Sequence, residues 1–161
     1  MSDSNEILNL LEQAKIVAQK YRALTGKPLG ITGEIAEFEA ARLLGLTLSG
    51  ARQSGYDATE VRSGETWKIQ IKGRCVKPTS AMGRLGSIDV TKEFDTVMLV
   101  LLDFNFNAIA IYEAQRDKVL SRIAEPGSKA RNIRGSLGIQ QFKSIATLRW
   151  KRTEPAKTAC D

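Results

Sequence analysis

Residues 65–72, ETWKIQIK, put Trp67, Ile69 and Ile71 on one side of an extended chain and Lys68, Gln70 and Lys72 on the other. A period of two is the mark of a half-buried strand. Residues 56–62 are rich in β-branched and aromatic side chains and predict its partner, joined by a tight turn at Ser63 and Gly64. Centring the turn between those two pairs residues whose numbers sum to 127. Asp57 then faces Gln70, and Lys72 points the same way as Gln70.

Elsewhere the period lengthens. Ile7, Leu8, Leu11, Ala14, Ala18 and Tyr21 form one stripe of a helix capped by Asp3 or Ser4 and ended by Gly26 and Pro28. That stripe is expected to pack on the core or on a second copy of the chain, a candidate homodimer surface. A second helix over residues 33–44, capped by Thr32 and stopped by Gly45, carries Ile35, Phe38, Ala41 and Leu44 along its apolar face. Glu34 and Glu37, three residues apart, are neighbours on its surface. Residues 46–55 read as a short strand or loop.

Residues 96–102, TVMLVLL, have no polar position after the first and predict a central strand. The polar tip at 105–107 returns the chain into AIAIYEA, a second apolar strand. A helix over 115–124 ends at Pro126 and Gly127, and a short helix is expected over 139–147. Between the hairpin and the central strand, residues 74–88 read as a mobile basic loop. The pattern is α/β or α+β, a small mixed sheet with helices on its faces.

Length and composition narrow the chemistry. The 161 residues suit one domain, and no apolar run approaches the roughly 20 residues of a membrane span. The first residues, MSDSNEILNL, lack the basic start and apolar core of a signal peptide, so a cytoplasmic protein without a membrane segment is expected. Cys75 and Cys160 form no CxxC pattern, and there is no histidine. Histidine acid–base catalysis, Ser/His and Cys/His nucleophiles and nearly all catalytic zinc chemistry are thereby excluded. Hydrolysis would rest on carboxylates, amides, lysine and an oxygen-loving ion.

Charge is unevenly placed. Of 24 basic and 18 acidic residues, eight basic and two acidic fall in residues 127–161, leaving the rest of the chain balanced. Residues 127–152 contain no acid but do contain Lys129, Arg131, Arg134, Lys143, Arg149, Lys151 and Arg152. A basic segment on a neutral body is the footprint of a polyanion partner. With Arg74, Lys77 and Arg84 of the loop, Lys129, Arg131, Arg134 and Lys143 are the candidate nucleic-acid contacts. Each feature also has a plainer explanation: a solvated strand face, acids that offset the helix dipole, and a solvated basic tail.

Gly33, Glu34 and Glu37 on a helix, Gly55, Tyr56 and Asp57 entering a strand, and Ile69, Gln70, Ile71 and Lys72 on the next strand together resemble the PD-(D/E)XK nuclease superfamily. They look most like its members with a GE-x-x-E helix and a Q-x-K third motif. The resemblance implies a restriction-endonuclease-like core over residues 30–125, a central mixed four- to five-stranded sheet flanked by helices, within a single domain over 1–152. Residues 1–27 would form its N-terminal helix, 127–152 its basic segment and 153–161 a flexible tail. It further implies Mg²⁺- or Mn²⁺-dependent hydrolysis of nucleic-acid phosphodiesters, with DNA the expected substrate. Asp57 resembles the metal-binding aspartate, Gln70 occupies the D/E position, Lys72 resembles the catalytic lysine, and Glu34, or else Glu37, matches the helical glutamate. Gln70 departs from the usual acid and would ligate without charge. The alternative is a nuclease-fold protein that binds nucleic acid or a protein partner without hydrolysis.

Overall fold

A strand with no polar face needs apolar layers on both sides, and β4 (Thr96–Leu102) is buried at every position. The computed structural model, which describes residues 2–50, 55–77 and 83–153, builds those two layers around one six-stranded sheet. Met98, Val100 and Leu102 enter a core with Ile69, Ile71, Ile35, Ala36 and Ala40. Val97, Leu99 and Leu101 point the other way, toward Leu85, Ile88, Val119, Leu137 and Phe142.

The elements run α1 (Ser2–Thr25), α2 (Thr32–Leu44), β1 (Thr47–Leu48), β2 (Ala58–Arg62), β3 (Glu65–Cys75), β4, β5 (Ala108–Gln115), α3 (Arg116–Ala124), α4 (Lys129–Asn132), α5 (Ile139–Lys143) and β6 (Thr147–Lys151). Spatial order follows chain order from β1 to β6. Only β3 and β4 are parallel; every other pair is antiparallel. The α/β class and mixed sheet thus agree with the sequence pattern, while the strand count exceeds the four or five expected. The sixth strand comes from the basic segment, where β6 pairs with β5 beyond the predicted short helix. TLRWK is short, and its pattern shows as a strand only once an open sheet edge is beside it.

The hairpin has the expected register, with Ala58 opposite Ile69 and Arg62 opposite Glu65. Ser63 (φ 50°) and Gly64 (φ 86°) both adopt positive φ, the tight-turn conformation that suits strand twist. Gly45 ends α2 in a left-handed conformation, its N–H bonded to the Ala41 carbonyl. Thr32 is not the cap: it is the first helical residue, and Ile31 at the cap position makes no side-chain capping bond. Of Asp3 and Ser4, the caps proposed for α1, only the backbone is described, while residues 51–54, 78–82, 154–161 and hence Cys160 lie outside the described residues.

Three expectations need correcting. Residues 83–88 are not a free loop, because Leu85 and Ile88 are buried and their N–H groups bond to the carbonyls of Leu137 and Gly135. The predicted stripe of α1 faces inward only in part, through Leu11 and Ala18. The inward face centres on Ala18, with Leu11 packed nearby and with Lys15, which is buried against Glu39 of α2 at 3.4 Å, whereas Ile7 and Tyr21 face outward. Arg131 is no surface contact, since its guanidinium is buried and donates to the Glu125 and Pro126 carbonyls at 2.6 and 2.7 Å. Arg131→Ala leaves the Pro126 carbonyl without this donor and the Glu125 carbonyl with Asn132 alone, and should cost about 1.5–3 kcal/mol in a denaturant melt, without weakening nucleic-acid affinity in a binding titration.

Candidate active site

β3 outruns β2, and the side chain of Asp57 fills the place where the ladder stops. Its N–H donates to the Ile69 carbonyl at 2.8 Å, and its own carbonyl accepts from Ser49 at 2.9 Å. Its Oδ2 accepts from the Ile71 N–H at 2.6 Å, so a carboxylate stands where the next β2 residue would bond. The aspartate is thereby held between the positions that project Gln70 and Lys72.

Gln70 and Lys72 pair with Val97 and Leu99, whose side chains line the second core, so both point to that face of the sheet, as the alternation predicts. Gln70 is buried; its Nε2 makes a long 3.4 Å bond to the Gly55 carbonyl. Its Oε1 is buried and has no donor among the described residues. Buried polar atoms in folded proteins almost always have a partner, so an amide oxygen without one marks a place for a water or a cation. Lys72 is half-buried, with its methylene chain beside Gly86, and has no ion-pair partner among the described residues.

The acids come from α2. Glu37 is half-buried and its carboxyl is pushed up to about 7, first by burial and then by the negative charges of Asp57 and Glu34, with Lys72 opposing. Those charges place Glu37, Asp57 and Lys72 in one electrostatic field, whereas Glu34 is exposed in the first turn. What brings α2 so near is Gly73. A Cβ there would stand 2.5 Å from the Ala36 Cβ and 2.8 Å from the Thr32 carbonyl, so only glycine lets the helix rest on β3 at this distance. The sequence reading missed this residue, although a glycine directly after the Q-x-K motif in a strand is a signal for close backbone approach.

Among the described residues no three Asp, Glu or Cys side chains converge tightly enough to hold an ion unaided. Asp57, Glu37 and the Gln70 oxygen are the groups that could hold one, with water completing its shell. That set is all oxygen, which suits Mg²⁺ or Mn²⁺.

The basic candidates divide. Arg74 lies along β3 beyond Lys72 and donates from Nε to the Arg84 carbonyl, and the Arg84 guanidinium is bonded to Ser136. Lys72, Arg74 and Arg84 therefore form one basic strip, with exposed Lys77 at its end. Lys129 and Arg134 are exposed at α4, and the Lys143 ammonium sits 4.8 Å above the Tyr112 ring. Arg149 is absorbed internally, bonded to Glu60 at 2.9 Å and to buried Glu113. Arg152 pairs with Asp103 at 2.9 Å. Much of the charge that stands out in the C-terminal sequence thus serves the fold.

Comparison of the chain with models of known protein families gives no match, and comparison with curated proteins gives none either.

Proposed function

We propose that the protein is a Mg²⁺- or Mn²⁺-dependent nuclease of the PD-(D/E)XK type, acting on nucleic acid with DNA the expected substrate. The observation that carries the proposal is the Gln70 oxygen, buried without a donor among the described residues, on the strand whose Ile71 N–H holds Asp57 and whose Lys72 shares its face, with Glu37 coupled in charge to Asp57 and Lys72. A bound divalent ion would supply a water of lowered pKa and offset charge on the phosphoryl oxygens. Asp57 is oriented for its role by the Ile71 N–H, Gln70 by the Gly55 carbonyl, and Glu37 by the seating of α2 on Gly73. Lys72 brings a half-buried ammonium that can stabilise negative charge growing on the scissile phosphate. The strip through Arg74 and Arg84 lies along the route a phosphate backbone would take past Lys72.

The test is incubation with supercoiled plasmid, linear duplex and single-stranded RNA, with Mg²⁺ or Mn²⁺ and with EDTA. Cleavage that appears with metal and stops with chelator supports the proposal; cleavage indifferent to chelator rejects it. A second reading, a non-hydrolytic binding protein of the same fold, is favoured by one observation. The Asp57 carboxylate already has a backbone partner, and among the described residues the acids do not close a site among themselves. That reading expects salt-sensitive binding unaffected by EDTA and no turnover.

Glu37 makes the metal-free fold sensitive to pH. Its folded pKa of about 7 lies above the ordinary 4.5, so between those values the folded state binds more protons than the unfolded one. Stability therefore falls as pH rises through that window and levels above it. In EDTA, Glu37→Gln should flatten this part of the Tm–pH curve and raise Tm at pH 8. A mutant curve parallel to wild type would remove the coupled-acid description. Divalent ions favour the ionised carboxyl, so their stabilising effect should grow across the same window.

A further inference from the structure

The outward side of α1 has a regularity that the fold does not use. Ile7, Leu10, Ala14, Val17, Tyr21 and Leu24 follow one another at spacings of three and four, a strict 3.5-residue repeat. The five large ones are 48%, 58%, 57%, 39% and 87% exposed, in chain order. Core contacts belong to a different stripe, through Leu11, Lys15 and Ala18. A surface helix that only covers its own domain keeps its apolar residues on one side and turns polar ones outward. Here a second apolar seam runs over 18 residues, about 27 Å of helix. A period of 3.5 instead of 3.6 keeps such a seam straight against another helix of the same kind.

We propose that this seam is the docking surface for α1 of a second copy of the chain, paired antiparallel as a two-stranded coiled coil. Two features select that occupant. The seam is self-complementary when reversed: Ile7 packs against the partner's Leu24, Leu10 against the partner's Tyr21, and Ala14 against the partner's Val17. A small residue thus meets a branched one at the centre, and no layer is left empty. Charge selects the direction. Exposed Glu6 lies in the N-terminal half of α1 and exposed Lys20 in the C-terminal half, whereas Glu12 pairs with Lys15 and Arg22 turns to the Phe104 carbonyl and ring of its own domain. Reversal sets acidic half on basic half and opposes the two helix dipoles, whereas parallel pairing sets like on like. The interface is isologous, as a two-fold dimer requires. It stands on α1 alone and is independent of the nuclease proposal.

Sedimentation of the full chain at tens of micromolar is the first test, with twice 17.7 kDa expected. Leu10→Glu/Val17→Glu alters two side chains that are exposed in the single chain, so its far-UV spectrum should be unchanged while association weakens at least tenfold. Direction is read by disulfide formation in a Cys75→Ser/Cys160→Ser background. Leu10→Cys mixed with Tyr21→Cys should cross-link, and Leu10→Cys alone should not. A wild-type chain that stays at 17.7 kDa throughout, a double-glutamate variant that still dimerises, or self-cross-linking of Leu10→Cys would each overturn the proposal.

Discussion

Under the proposed nuclease function, exchanging Lys72 for methionine should lower metal-dependent cleavage by about 10²–10³-fold, the usual loss when one preorganised group facing transition-state charge is removed. Methionine retains most of the aliphatic stem that lies beside Gly86, so the melting temperature should change little. Lys72 also opposes the upward shift of the Glu37 carboxyl. Removing its charge should therefore move the Glu37 titration above 7, visible in the pH dependence of Tm or in the carboxyl carbon resonance. The two readouts answer different questions. Wild-type cleavage by Lys72→Met would end the catalytic assignment, while an unmoved Glu37 titration would show that the two groups do not share one field.

Gly73→Val should be the most damaging single change in the hairpin. The new side chain would start inside the contact distance of Ala36 and the Thr32 carbonyl, so α2 must lift from β3 or β3 must bend. Overpacking of this kind costs about 3 kcal/mol. For a chain of this size that corresponds to a fall in Tm of about 6–12 °C. Lifting α2 also carries Glu37 away from Asp57, so its carboxyl should titrate closer to the ordinary 4.5 in whatever fraction remains folded. Gly33→Ala is the control: a Cβ there meets nothing within 4 Å, and the helical position should tolerate it or gain about 0.4–1 kcal/mol. Equal melting temperatures for Gly73→Val and wild type would remove the close approach as the device that seats the helix.

The parts of the site that were legible in the sequence are those governed by neighbours in the chain. A turn of Ser63 and Gly64 fixes which residues of the hairpin face one another, and alternation along 69–72 assigns Gln70 and Lys72 to one face. The identity of the helical acid was not legible in the same way. Glu34 and Glu37 share a surface and a spacing, and only the seating of α2 on Gly73 makes one exposed and the other half-buried beside Asp57. Charge was the least reliable guide. Arg131 and Arg149 look in sequence like Lys129 and Arg134, but one meets two backbone carbonyls and the other two glutamates from distant strands.

By itself the amino-acid order determined the elements with strong local signals: two N-terminal helices, a hairpin and its register, two apolar strands and the helix after them. It also determined what chemistry is open to a chain without histidine. Tertiary structure decided the sixth strand, the anchoring of residues 83–88, the burial of Arg131 and the two separate stripes of α1. Periodicity and turn chemistry act over a few residues and are written locally. Whether a polar atom ends in water, on a carbonyl or without a partner depends on segments tens of residues away, and packing alone brings those together.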